Sequence, residues 1–232
     1  MGYLARVFEQ TEEENRRVIL ATLPAERGGR LLDIGTHDGA FTERVAARVG
    51  AERSEGIELL AQHAAAARQR GIEVTAADTD EGLPYEDGRF RTVHANQVLE
   101  HVRRTDVFLR EIRRVLSPDD GLACISTNNL SSWHNVASLA LGFQPSPMHV
   151  SDEVVVGNPL NPIDGDAHED LGRTHLRIFT ARALGGLCAH HGLRTVWLGA
   201  SGYYPLPPAL GRRLARLDPR HGAFLVGLFA RG

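Results

Sequence analysis

The sequence contains no lysine: all 26 of its basic residues are arginine. Schiff-base chemistry and a Walker-type phosphate lysine are therefore excluded. Cysteine is almost as scarce. Cys124 and Cys188 are far apart, form no CxxC pair and lie in apolar segments, which reads as buried free thiols and fits a reducing cytoplasm. No apolar run approaches the roughly 18 residues needed to span a membrane. The N-terminus reaches Glu9 and Glu12 without an apolar core, so the expectation is a soluble, untargeted, cytoplasmic protein. Strong charge of either sign is also missing. A formal net charge of -3 and a pI near 6.4 argue against a general nucleic-acid binder.

What is present is an ordinary globular composition, 42% hydrophobic and 24% charged over 232 residues, enough for one substantial core. A single domain over residues 1–232 is the default reading. The stretch Leu31 to Phe41 (LLDIGTHDGAF) reads as a buried strand that ends in a tight glycine turn and runs into a helix. Such a turn offers unpaired backbone N–H groups and a helix N-terminus beside a strand end, a place where open α/β sheets hold ligands.

Around it the chain alternates. Thr11 and Glu14 form a capping box for a helix of about Thr11 to Leu23, ended by Pro24. Phe41, Val45 and Val49 recur at helical spacing up to Gly50. Arg53 to Glu58 is a second strand, Leu59 to Arg70 a helix, Ile72 to Ala77 a third strand and Phe90 to Ala95 a fourth. A helix from Thr105, with Phe108, Ile112, Val115 and Leu116 on one face, leads to a fifth strand at Leu122 to Ser126. This order predicts a parallel, doubly wound α/β sheet with helices on both faces. From Asn128 to Arg173 the alternation stops. The stretch has no long periodic segment and reads as an insertion covering a substrate. Thr180 then caps a helix closed by Gly192, and Leu193 to Leu198 and Phe224 to Phe229 add two strands. Arg212, Arg213, Arg216 and Arg220 form a small basic patch, read chiefly as a solvated helix face and otherwise as a hold for a phosphate or a lipid headgroup.

Acids stand at three successive strand ends: Asp33, Glu58 and Asp78. Glu58 is placed to accept hydrogen bonds from both ribose hydroxyls of a nucleoside, and Asp78 from an adenine amino group, with Leu83 or its neighbours over the ring. Any one of them alone reads as a turn residue or a cap. Together with the glycine turn they point to an adenosine-bearing ligand. A dinucleotide is disfavoured, because no G-x-G-x-x-G is present.

With two further segments, DTDEGLPYEDGRFRTVHANQVLEHV (Asp78 to Val102) and FLREIRRVLSPDDGLACIST (Phe108 to Thr127), the sequence resembles the class I S-adenosylmethionine-dependent methyltransferases. The resemblance implies a Rossmann-like seven-stranded sheet of order 3-2-1-4-5-7-6 with the last inserted strand antiparallel. It also implies S-adenosylmethionine as cofactor, S-adenosylhomocysteine as product and a small-molecule methyl acceptor. By it, Asp33, Gly35, Thr36 and Gly39 line the methionine end, Glu58 with its neighbour Leu59 the ribose, and Asp78 with Thr79 the adenine. Asn96 and Gln97 face the methionine moiety and the acceptor. His37 occupies a position where the family often has a third glycine.

Methyl transfer asks chiefly for an aligned nucleophile and exclusion of water, with a base useful where the acceptor is a hydroxyl. Gln97, Glu100 and His101 fall at i, i+3 and i+4, on one face if the exit of strand four is helical. His175, in THLRIFT, resembles a family segment that returns to the active-site edge. His101 and His175 are the candidate bases. With Glu100 they are also the candidate ligands of a divalent metal, a reading not favoured because Gln97 replaces an acid found in metal-dependent small-RNA 2′-O-methyltransferases. His134, His149 and His168, Trp133 and Tyr203 are further acceptor-contact candidates.

Overall fold

The computed structural model describes residues 2–151, 153–159, 161, 165–166 and 174–232. His168 and part of the expected insertion lie outside the described residues. Leu31 and Leu32 show how the fold is laid down. Both are fully buried, on opposite faces of β1 (Arg30–Ile34), because side chains alternate along a strand and a parallel sheet is covered on both sides. Leu32, with Ile34, Val93 and Ile125, packs against Phe108, Leu109 and Ile112 of α4 (Thr105–Val115) and Leu184 and Cys188 of α6 (Ala181–His190). Leu31, with Cys124 and Val226, packs against Ile19 of α1 (Tyr3–Thr22) and Val45 and Val49 of α2 (Ala40–Val49).

The other sheet strands are β2 (Arg53–Ile57), β3 (Glu73–Thr75), β4 (Thr92–Asn96), β5 (Leu122–Asn128), β6 (Leu193–Ser201) and β7 (Phe224–Arg231). Their order is β3-β2-β1-β4-β5-β7-β6, and β7 runs antiparallel to both neighbours, as the resemblance implies. α3 (Ala61–Gln69) links β2 to β3. Strand ends differ from the sequence reading by at most two residues, which halves the short β3, except that β6 runs three residues further, to Ser201. Cys124 and Cys188 are buried free thiols, as expected, and burial pushes both up to about 12.

Three elements correct the sequence reading. α1 begins at Tyr3, so Thr11 is mid-helix and caps nothing: its Oγ1 donates to the Val7 carbonyl one turn back at 2.7 Å. Glu14 accepts from Arg17 and Arg212 instead of closing a capping box. The segment after β5, expected to be irregular, contains α5 (Trp133–Ala140), and 154–155 pairs with 165–166 in a two-stranded ribbon. Arg212, Arg213 and Arg216 stand on a helix as expected, α7 (Pro208–Leu217), which packs on α1, but Arg220 lies beyond its end and is not part of that helix face. Among the described residues no helix is long and apolar enough to cross a membrane.

Candidate active site

The carboxyl ends of β1 to β4 open onto a cavity of about 740 Å³. This is the size of a small-molecule site, at the edge where parallel α/β sheets place one. Its wall holds Asp33, Gly35, Thr36, His37, Glu58, Leu59, Asp78, Thr79, Asn96, Gln97 and His101, all expected from sequence. Gly39 is absent from the wall. Its left-handed backbone (φ +81°) starts α2, and a β-carbon there would meet Ile72 Cδ1 at 2.6 Å and Ala67 Cα at 3.0 Å. Leu83 is also absent: it is buried in the core, and Ala77, Val98 and Val102 supply apolar wall instead.

Five N–H groups of the glycine turn already have acceptors within the protein. Gly35 and Thr36 both donate to the Ile57 carbonyl, at 2.9 and 3.1 Å, and Gly39 donates to the Thr36 carbonyl. His37 N donates to Glu58 Oε2 at 2.9 Å and Ala40 N to Asp38 Oδ1 at 3.1 Å. With those five donors taken and the acids Asp33, Asp38 and Glu58 around it, the turn is less suited to a phosphate than to a neutral or cationic group.

Glu58 is buried and pins two loops, accepting from His37 N through one oxygen and from Leu60 N, at 2.8 Å, through the other. A carboxylate so held has its oxygens fixed in direction at the cavity wall. Asp78 is exposed at the rim and accepts from Asp80 N at 2.9 Å. Asp80 in turn caps the backbone of Arg104 at 2.8 Å, joining the β3 exit to the start of α4.

Sequence reasoning missed His94. It is 1% exposed on β4, its Nδ1 lies 2.7 Å from Asp33 Oδ1, and the other Asp33 oxygen accepts from Thr42 Oγ1. The available signal was a histidine in the middle of an apolar strand, directly beside Asp33 in the register. Arg16, Phe41 and Arg44 also line the cavity, and both guanidiniums lie over the Phe41 ring, at 5.9 and 5.3 Å.

The exit of β4 turns at Gln97 (φ +55°) into a single 3-10 turn, Leu99–His101. That geometry separates the residues expected on one face. Gln97 and His101 line the cavity, whereas Glu100 is fully buried, accepting from Thr127 Oγ1 at 2.7 Å and Asn128 Nδ2 at 3.0 Å. Burial pushes its carboxyl up to about 7. Its backbone carbonyl accepts from Leu176 N and Arg177 N, which brings the THLRIFT segment to this edge as expected.

His175 lies outside the cavity wall but close to His101, with ring centroids 4.8 Å apart. It stacks on His149 at 4.5 Å, and its Nδ1 is 2.9 Å from the Pro147 carbonyl, which leaves Nε2 as its basic nitrogen. Burial first, then the neighbouring His101, lowers it to about 3, so it is neutral at pH 7 and a weak base. His101 is therefore the better placed base. Ligand atoms of Glu100, His101 and His175 all fall within 4.8 Å of one another. Bonds of about 2.0–2.3 Å to a shared ion would require a tighter set. Both Glu100 oxygens already accept a hydrogen bond, which an ion held by these residues would have to share or displace. His134, lowered to about 4 by burial, packs on Tyr204, and Trp133 packs on His221; neither lines the cavity. Tyr203 is likewise outside it, donating its hydroxyl to the Asp218 carbonyl.

Comparison with known proteins identifies the family and the fold. A family profile described as a methyltransferase domain matches residues 7–198. An S-adenosylmethionine-dependent methyltransferase from Mesorhizobium loti superposes with a TM-score of 0.63 at 20% identity, covering 93% of this chain and 96% of its own. The geranyl diphosphate C-methyltransferase of Streptomyces coelicolor, solved with Mg2+, geranyl diphosphate and S-adenosylhomocysteine, gives 0.61 at 15%, covering 97% and 82%. A chain solved with the Haloferax volcanii Trm112 methyltransferase activator gives 0.65 at 16%, covering 97% and 93%.

Proposed function

Because the chain belongs to the S-adenosylmethionine-dependent methyltransferases, we propose that it moves a methyl group to a hydroxyl or amine of a small metabolite, such as a natural-product or glycan intermediate. The observation that carries this reading is the cavity itself, whose wall brings together acids from three strand ends and His101. Glu58 would hold the ribose diol, Asp78 and Thr79 the adenine, and Asp33, Gly35, Thr36, His37, Asn96 and Gln97 the methionine end. Leu59, 51% exposed beside Glu58, would lie along the sugar. The cofactor, when bound, supplies a methyl group already activated by its sulfonium.

The remaining work falls to the protein and is mostly positional. Gln97 and His101 would face the incoming nucleophile, and His101 would take the proton of a hydroxyl acceptor. Segment 128–173 would cover the acceptor, since Pro147 and His149 reach His175 beside His101. A metal-assisted reaction on a vicinal diol is the second reading. The close approach of Glu100, His101 and His175 favours it, and their spacing and prior hydrogen bonds weigh against it.

The test is S-adenosylhomocysteine affinity in wild type, Glu58→Gln and Asp78→Ala. Removing a hydrogen-bonding partner of a buried polar group costs about 1–3 kcal/mol, which is about 5- to 150-fold in affinity. Affinity unchanged in both variants overturns the cofactor assignment. Incubation with labelled cofactor and a cell extract, with and without chelator, then identifies the acceptor. Product formation indifferent to chelator removes the metal reading. Cofactor binding with no product from any extract would leave a silent scaffold.

A further inference from the structure

Residues 128–151 contain no Asp, Glu, Lys or Arg, in a chain of which 24% is charged. The helix within them, α5, is turned inside out. Its inward side is polar: Ser132 and Asn135 are fully buried, and Asn135 Nδ2 donates to the Asn129 carbonyl at 2.9 Å. Its outward side is apolar, with Trp133 53%, Val136 40% and Leu139 56% exposed, followed by Leu141 at 70%. A helix at a water-facing surface normally does the reverse. A contiguous apolar face of this kind marks a contact with something other than water.

The rim of this face identifies the partner. Trp133 Nε1 donates to Asp218 Oδ2 at 2.8 Å, which fastens α5 to the end of α7. On α7, Leu210, Arg213 and Leu217 fall at i, i+3 and i+7, one stripe, and all three are exposed, Leu217 at 82%. Arg220 follows, its carbonyl held by Asn129 Nδ2 at the start of α5. Neither Arg213 nor Arg220 has an ion-pair partner among the described residues. The nearby acid, Asp218, is occupied by Trp133 and His221.

We propose that this face docks on an anionic lipid surface. The outer side of α5 and Leu217 would enter the headgroup region, and Arg213 and Arg220 would meet the lipid phosphates. An uncharged apolar face edged by an indole and unpaired guanidiniums is the arrangement that interfacial proteins use to lie on a bilayer without crossing it. Pairing of the face with a second copy fits less well, because a two-fold contact would bring the like-charged arginine rims of the two copies toward each other. The docking stands independently of the methyl-transfer reading. Its place is nonetheless close to the cavity, since Pro147 and His149 of the same uncharged stretch touch His175 beside His101.

Vesicle flotation of the full chain tests this, using phosphatidylcholine vesicles and phosphatidylcholine vesicles containing phosphatidylglycerol. Wild type should float with the anionic vesicles, and less so at high salt. Leu139→Glu combined with Leu141→Glu should abolish flotation with both. Arg213→Glu combined with Arg220→Glu should lower partitioning to the anionic vesicles by roughly 10- to 30-fold, to the phosphatidylcholine level. Circular dichroism and S-adenosylhomocysteine affinity, unchanged in both variants, would show that they are folded. Wild type that floats with neither vesicle overturns the proposal, as does flotation indifferent to both double substitutions. Failure to float together with a dimer in ultracentrifugation that Leu139→Glu and Leu141→Glu disperse would identify the face as a self-interface and also overturn it.

Discussion

At the level of single residues, the site rests on buried polar groups whose partners are already assigned. Asp33 directs one carboxylate oxygen to His94 and the other to Thr42, all three being buried. His94→Phe keeps an aromatic ring beside Phe41 but leaves one Asp33 oxygen without its partner. Stripping a buried carboxylate of one hydrogen bond should destabilise the fold by about 2–3 kcal/mol, read as a lower urea midpoint with unchanged slope. Glu100 makes a pH prediction. Its folded carboxyl, raised by burial to about 7, lies above its ordinary value of 4.5. The folded state therefore binds the proton more tightly, and the stabilisation, full below pH 4.5, is lost as pH rises to about 7. Glu100→Gln keeps the shape and two hydrogen-bonding positions without the charge. Relative to wild type it should gain about 3 kcal/mol between pH 4.5 and 7. Subtracting the two urea curves cancels the opposite trend from His175, which is lowered to about 3 and loses stability as pH falls below 6.5.

At the level of elements, the turn from β1 into α2 shows what a glycine contributes. Gly39→Ala would force a side chain into left-handed backbone and press its β-carbon on Ala67 and Ile72. Strain and overpacking together should cost about 2–4 kcal/mol by urea unfolding. This turn and the three acidic strand ends were legible in the sequence, because buried parallel strands write apolar runs and turns write glycines; the sheet order came only with the family resemblance. β3 and β4 were legible in place but not in length. α5 was illegible because periodicity finds a helix by its apolar inward face, and the inward face of α5 is Ser132 and Asn135. The start of α1 was hidden by a misleading signal: Thr11 and Glu14 have cap spacing, but within a helix a threonine hydroxyl satisfies itself on the carbonyl one turn back. His94 was invisible because its role depends on register, which brings it level with Asp33 across two strands. The split between Glu100 and Gln97 depends on a left-handed residue that is not glycine.

At the level of the whole molecule, the cavity is assembled from parts with little else in common. α1 contributes Arg16, the β1 turn Gly35 to Asp38, the β2 end Glu58, the β3 exit Asp78 to Asp80, and the β4 exit Gln97, Val98 and His101. These pieces lie on both sides of the sheet, and Arg16 and Phe41 adjoin a different core layer from Val98 and Val102. A ligand touching all of them opposes unfolding of both layers at once, so its binding energy should appear as global stability. S-adenosylhomocysteine at a hundred times its dissociation constant should add about 2.7 kcal/mol. For a chain of this length that raises Tm by roughly 5–10 °C. The shift should be the same with and without chelator, because no metal is needed to complete the cofactor half of the cavity. It should shrink in Glu58→Gln, whose two backbone contacts tie the β1 turn to the β2 end. A full-length shift that vanishes with chelator would transfer the role of organiser from Glu58 to a cation. No shift at saturating ligand would mean that the strand ends do not form a cofactor pocket.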